Sequence, residues 1–288
     1  MPTLRQINRR IRSVQSTAKT TRAMSLVAGS KMRRAQQMAL AHRPYAVQLD
    51  YLLSDVVQGL RGAGEEGALH PLLERREIET HGLVVLTPDR GLCGGLPTNL
   101  LRRAGVFLAE HPNTRILAVG RRGVDFFRRS HQLIGEFTRL GDYPSYEDAL
   151  PIARLVMDSY TSREVDSVDI VYPDFINTVF QRPALMPLLP VTPPESAEAK
   201  SVEYIYEPDA QSVLADLMPR YVEVEVYRAV LELAASEQSA RMVAMRNATD
   251  AAQELIQELT LLRNKVRQEQ ITKELLDITG GVEAMHSR

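Results

Sequence analysis

TTRAMSLVAGSKMRRA, residues 20–35, decides how the whole chain is read. The stretch is basic, contains no acid and no proline, and reads as helix. One face of that helix, Thr21, Ser25, Ala28, Met32 and Ala35, repeats at spacings of three and four. Small residues on a contact face let two helix backbones approach closely. They also bury little apolar area, at about 25 cal/mol per Å², so the helix pair is weakly held at this level by itself.

Followed outward, the seam runs from Leu4, Ile7, Ile11, Val14 and Ala18 through the opening stretch to Ala39, His42, Ala46, Leu49, Leu53 and Val56. That is about seven heptads in one register. Pro44 is the one flaw; it should kink the helix or cost about 3 kcal/mol unless its surroundings compensate. At about 1.5 Å per residue, residues 4–57 would span about 80 Å, too long for a helix inside one compact domain. Met24, Leu26, Val27, Met38 and Leu40 lie off the seam, so the outer face is not uniformly polar. Ten Lys or Arg and no acid precede Asp50, which suits a sleeve of acidic protein surface.

Residues 59–70 hold four glycines and read as a loop. The period then switches. Gly82–Thr87, Thr114–Gly120, Ser167–Tyr172 and Asn177–Gln181 read as strands. Leu96–Glu110, a segment beginning at Gly123, and Tyr146–Thr161 read as helices. This alternation predicts βαβ units and a mostly parallel, Rossmann-like sheet. Residues 187–200 read as a proline-rich loop and Val202–Tyr206 as a short strand. From Asp209 a helical pattern returns through Leu217, Tyr221, Val224, Tyr227, Leu231 and Ala234. Gln238 and Arg241 then take seam positions, and Met245 to Val266 resume the apolar pattern. After a shift near Gln268, Leu275, Ile278, Val282 and Met285 continue the seam. The predicted layout is therefore a helix over 1–58, an α/β head over 75–207 and a helix over 209–288, the two helices forming an antiparallel coiled coil.

Composition narrows the function classes. The chain has 288 residues, a net charge of −1, no Trp and one cysteine, Cys93. No internal disulfide or cysteine-based metal cluster is possible. No apolar run reaches the about 20 residues of a membrane helix, so no direct membrane insertion is expected. Nucleic-acid binding would want interleaved aromatics or a known module, and neither is present. The loop Asp89-Arg-Gly-Leu-Cys-Gly-Gly95 follows a strand and precedes a helix, where an open α/β sheet would hold a phosphate. It matches neither the dinucleotide fingerprint nor a P-loop, so no cofactor is expected.

Three stretches together resemble the γ subunits of F-type ATP synthases. They are Ile7–Val14 with Thr21–Met24, Ser30–Ala35 and Arg43–Ala46; Asp89–Gly95; and Ala235–Met245 with Ala248–Asp250 and Ile271–Asp277. The likeness runs end to end in the right order. It departs at Val282, where the family usually has Ala after Gly, and at Ala18, Gly29 and Pro97. The resemblance implies a non-catalytic central-stalk rotor of a proton-translocating complex. The coiled coil would turn inside a ring of three α and three β subunits, with the head on the c ring beside ε. It further implies that Met24, Arg241, Gln268, Thr272 and Glu274 meet the acidic lever loop of β. Asp89, Arg90, Gly91, Cys93, Gly94 and Gly95, together with Tyr204 and Glu207, would face ε, the c ring or another partner. The basic, acid-free pattern outruns a transit leader, and a place at the cytoplasmic face of a bacterial cell membrane is expected. Two other readings stay open: an α/β enzyme with a coiled-coil arm, using Cys93 and Asp89, and a basic coiled-coil nucleic-acid adaptor.

Overall fold

The computed structural model describes residues 3–62, 70–129, 133–193, 206–207 and 209–286. Helix α1 covers Leu4–Gly62 and opens on a reciprocal cap. The Thr3 hydroxyl accepts from Gln6 N and the Gln6 side chain accepts from Thr3 N. The helix runs on through Pro44. Helix α5 covers Ala210–His286, and the Asp209 carboxylate accepts from Ser212 N at its start. Between them lie β1 (His81–Leu86), α2 (Leu96–Glu110), β2 (Thr114–Val119), α3 (Arg121–Phe127), β3 (Leu133–Phe137), α4 (Tyr146–Thr161), β4 (Ser167–Phe175) and β5 (Gln181–Leu189).

The five strands form one sheet in the order β3-β2-β1-β4-β5. All pairings are parallel except β4 with β5. The expected α/β head is present, with an antiparallel edge. Alternation within β1 and β2 serves both faces. Leu83, Val85, Ile116 and Ala118 pack under α2 and α3. Val84, Leu86, Leu117 and Val119 face α4 and the parts of α1 and α5 around Leu53–Leu60 and Leu214–Leu233. Helix α4 begins at a capping box, Ser145 with Asp148.

The chain divides into two compact units, residues 1–27 with 242–288, and residues 28–241. The division cuts both long helices rather than separating them from the head. In the first unit Ile7 and Ile11 pack with Leu255, Leu259 and Val266. The Thr21 and Thr249 hydroxyls bond at 2.7 Å, and the Ser25 hydroxyl donates to Met242 O. Numbers fall on α5 as they rise on α1, so the pair is antiparallel. In the second unit Ala35 meets Ala234 and Ala235, and Ala46 and Leu49 meet Val224. At Ala35 the small-residue seam thus closes on alanines from both sides.

Three sequence expectations are corrected. Asn177–Gln181 is not a strand: residues 177–180 form the β4–β5 turn. The Asn177 side chain accepts from Val179 N and Phe180 N, a local bond that displaces extended pairing. The stretch read as a loop from residue 187 begins inside β5, whose Pro183 and Pro187 are tolerated because β5 is an edge strand. Leu275, Ile278 and Val282 are not a closed seam. They are exposed, because α1 begins at Leu4, at the level of Val266, and α5 continues 20 residues further, from 266 to 286. Strand β3 has no counterpart in the sequence reading. Most of the predicted strand Val202–Tyr206 lies outside the described residues.

Candidate partner-binding surfaces

The residues singled out from sequence fall in different places. In the first unit, Met24 is exposed beside Ser25, at the level of Met242. Gln268, Thr272 and Glu274 are exposed on the overhang of α5, where Glu274 accepts from Gln270 Nε2. About 26 residues of helix separate the two levels, roughly 40 Å, so these four do not form one patch. The overhang also exposes Ile271, Leu275, Leu276 and Ile278. No described helix is long and apolar enough to cross a membrane.

Arg241 belongs to the second unit and points inward. Its guanidinium donates to Glu237 Oε1 at 2.6 Å and to the Gly91 carbonyl at 3.3 Å. Both side chains of this pair are only 13% exposed. Burial pushes the Glu237 carboxyl up, against the pull of Arg241.

The glycine loop is built by its backbone. Leu92 and Gly94 sit at φ 65° and 60°, and Gly95 caps α2 without a side-chain bond. Tight turns of this kind favour glycine. Asp89 ties three loops together: its carboxylate accepts from Arg121 N at 3.0 Å and Arg139 N at 2.8 Å. Beside it Gly120, at φ +87°, presses on Thr87; a Cβ there would lie 1.8 Å from the Thr87 carbonyl oxygen. Arg90 is exposed, whereas Cys93 is buried. Burial, then the nearby Glu237, raises the Cys93 thiol, which disfavours the thiolate a nucleophile needs. Tyr204 lies outside the described residues. Glu207 is exposed and lines a cavity of about 240 Å³ with Leu52, Asp55 and Leu217.

An open sheet of this order has its topological switch between β1 and β4, where ligands ordinarily enter at the carboxyl ends of the strands. Here α5 occupies that place. Ser236 donates to Pro173 O, Ser239 to Thr178 O, and Glu232 accepts from Phe175 N. With Arg241 on Gly91, the crevice is closed by the chain's own helix.

Sequence reasoning missed Asp142. Its carboxylate accepts from Lys31 Nζ on α1 at 2.7 Å and from Gln238 Nε2 on α5 at 3.0 Å. Lys31, then Arg90 and Arg241, hold its pKa down against burial. The one available signal was Gln238, a polar residue in an apolar seam.

A family model described as ATP synthase matches residues 3–285. The ATP synthase gamma chain of Dehalococcoides mccartyi (strain BAV1) is 52% identical over 288 residues, covering 99% of this chain and 100% of the relative. That of Chloroflexus aurantiacus (strain J-10-fl) is 47% identical over 293 residues, covering both chains fully. Among solved structures, a chain of the Tetrahymena thermophila mitochondrial ATP synthase central stalk and c ring aligns with TM-score 0.60 at 24% identity. That alignment covers 80% of this chain and 99% of the other. A chain of the Euglena gracilis mitochondrial enzyme aligns with TM-score 0.56 at 21% identity, covering 90% and 96%.

Proposed function

Because the chain belongs to the ATP synthase γ-chain family, we propose that it is the shaft of a bacterial enzyme, turning inside an α3β3 ring. The observation that carries this reading is the overhang of α5. Ile271, Leu275, Leu276 and Ile278 stand exposed, with no described helix packed against them. Apolar residues on a single protruding helix call for a surrounding partner, and a ring of subunits supplies one. The ring has near-threefold symmetry and the shaft has none. Each β subunit therefore meets a different face, and differential contacts bias its nucleotide site toward a different state.

In this reading Met24, Gln268, Thr272 and Glu274 meet the lever loops of β at two levels. Arg241 does so only if it exchanges its inward bonds. The helices over 1–58 and 209–288 act as the shaft, and the head over 75–207 rests on the c ring with ε, at Glu207 and the 89–95 loop. Ion flow through the c ring turns the whole rotor. The complex lies at the cytoplasmic face of the membrane and this chain is peripheral to it. Catalysis belongs to the β subunits.

Reconstitution tests this. The chain is mixed with matching α and β subunits, and MgATP hydrolysis and the rotation of a bead on the head are recorded. The expected outcome is an α3β3γ complex whose rotation fails when residues 271–288 are removed. A chain that stays outside the ring, or rotation indifferent to that truncation, overturns the reading.

A further inference from the structure

The loops after β1, β2 and β3 enclose an open cavity of about 380 Å³, lined by Asp89, Arg90, Arg121, Arg139, Asp142 and Glu237. Its acids are already engaged. Both Asp89 oxygens accept backbone amides, from Arg121 and Arg139. Asp142 is held by Lys31 and Gln238. Glu237 is held by Arg241. The arginines of the cavity are not engaged in the same way. Among the described residues, the Arg121 and Arg139 guanidiniums have no hydrogen-bond or ion-pair partner. Arg90 reaches only to 3.7 Å from an Asp142 oxygen that Lys31 already holds at 2.7 Å.

Charge follows the same division. The lining itself holds three arginines and three carboxylates, and Lys31 and Arg241, which hold Asp142 and Glu237 from outside it, tip the balance positive. Arg139 is moreover fixed at φ 68°, a conformation bulky residues seldom adopt, by the Asp89 bond to its own amide. Planar guanidinium forks converging on a cavity are suited to phosphoryl oxygens. Among the described residues no aromatic or aliphatic side chain lines the cavity, so a nucleobase would find only guanidinium planes to rest on.

We propose that this cavity binds an inorganic oligophosphate through Arg90, Arg121 and Arg139, and that a nucleotide gains nothing there beyond its phosphates. Arg90 also belongs to the 89–95 loop of the shaft reading, but the inference does not rest on that reading. A chain that bound pyrophosphate but failed to enter a ring would leave it standing.

The test is isothermal titration of the full chain with pyrophosphate, orthophosphate, ADP and ATP at fixed ionic strength. The chain is compared with R121Q/R139Q and with R163Q, whose arginine lies after α4, away from the cavity. The expected result is one pyrophosphate per chain and binding at least about fivefold weaker in R121Q/R139Q. R163Q should match the parent, and ADP should bind no more tightly than pyrophosphate. Absence of pyrophosphate binding by the parent chain, a smaller loss in R121Q/R139Q, or an equal loss in R163Q overturns the proposal. ADP binding more tightly than pyrophosphate would mean a nucleoside site and overturns it too.

Discussion

Replacing Arg241 with Ala removes the cation from a desolvated pair and should destabilise the second unit by about 3 kcal/mol at pH 8. The magnitude comes from the geometry. Arg241 and Glu237 are 13% exposed each and bond at 2.6 Å, so solvent cannot take over the lost interaction. Breaking a buried pair costs about 3–5 kcal/mol, because the remaining charge is stranded. The low end applies because Glu237 can escape by protonating. The lost bond to the Gly91 carbonyl is part of the same figure. The pH dependence has a defined sign. Burial already raises the Glu237 pKa, and without Arg241 nothing as close opposes it. A carboxyl whose folded pKa lies above its unfolded one binds its proton more tightly when folded. The deficit is therefore full above the folded pKa and shrinks as pH falls toward the ordinary carboxylate range. Urea unfolding of parent and R241A, followed by far-UV circular dichroism at about pH 8 and about pH 5, reads both effects. E237Q/R241A should recover part of the loss at pH 8. A deficit below about 1 kcal/mol, or one equal at both pH values, would refute the claim that this pair is desolvated.

Gly120→Ala should prevent folding of the head or cost at least about 3 kcal/mol, since its Cβ would lie 1.8 Å from a backbone oxygen at φ +87°; soluble yield and urea midpoint report it. Ala35→Leu should overpack the seam against Ala234 and Ala235 and lower stability by about 1–3 kcal/mol, read from thermal melts. Burial raises the Asp169 pKa to about 6. Its ionised form is thus disfavoured on folding, and Asp169→Asn should stabilise by roughly 1–3 kcal/mol near pH 8. That gain should shrink as pH falls below about 6 and vanish below about pH 3, where the aspartate is protonated in both states; a stability difference that does not change with pH would contradict it.

Periodicity carried most of the architecture. A seam of three-four spacing fixed both helices, because only a helix returns Thr21, Ser25, Ala28, Met32 and Ala35 to one side. The apolar runs at Leu83–Leu86 and Ile116–Val119 marked strands buried on both faces. The end-to-end order of motifs carried the family. What sequence left undecided depends on which segments meet. Strand β3 and the Asn177 turn are short and locally ambiguous, and pairing or a side-chain bond settles them. The exposure of Leu275 and Ile278 follows from where α1 starts relative to α5, a register between segments more than 200 residues apart. Arg241 took a seam position by pattern and a partner contact only by resemblance; that Glu237 and Gly91 hold it is visible only in the fold. Asp142 had no pattern of its own; its carboxylate matters because the fold brings Lys31 and Gln238 to it from two different helices. Period and composition are local and survive in the sequence, whereas partners distant along the chain exist only once the backbone has closed on itself.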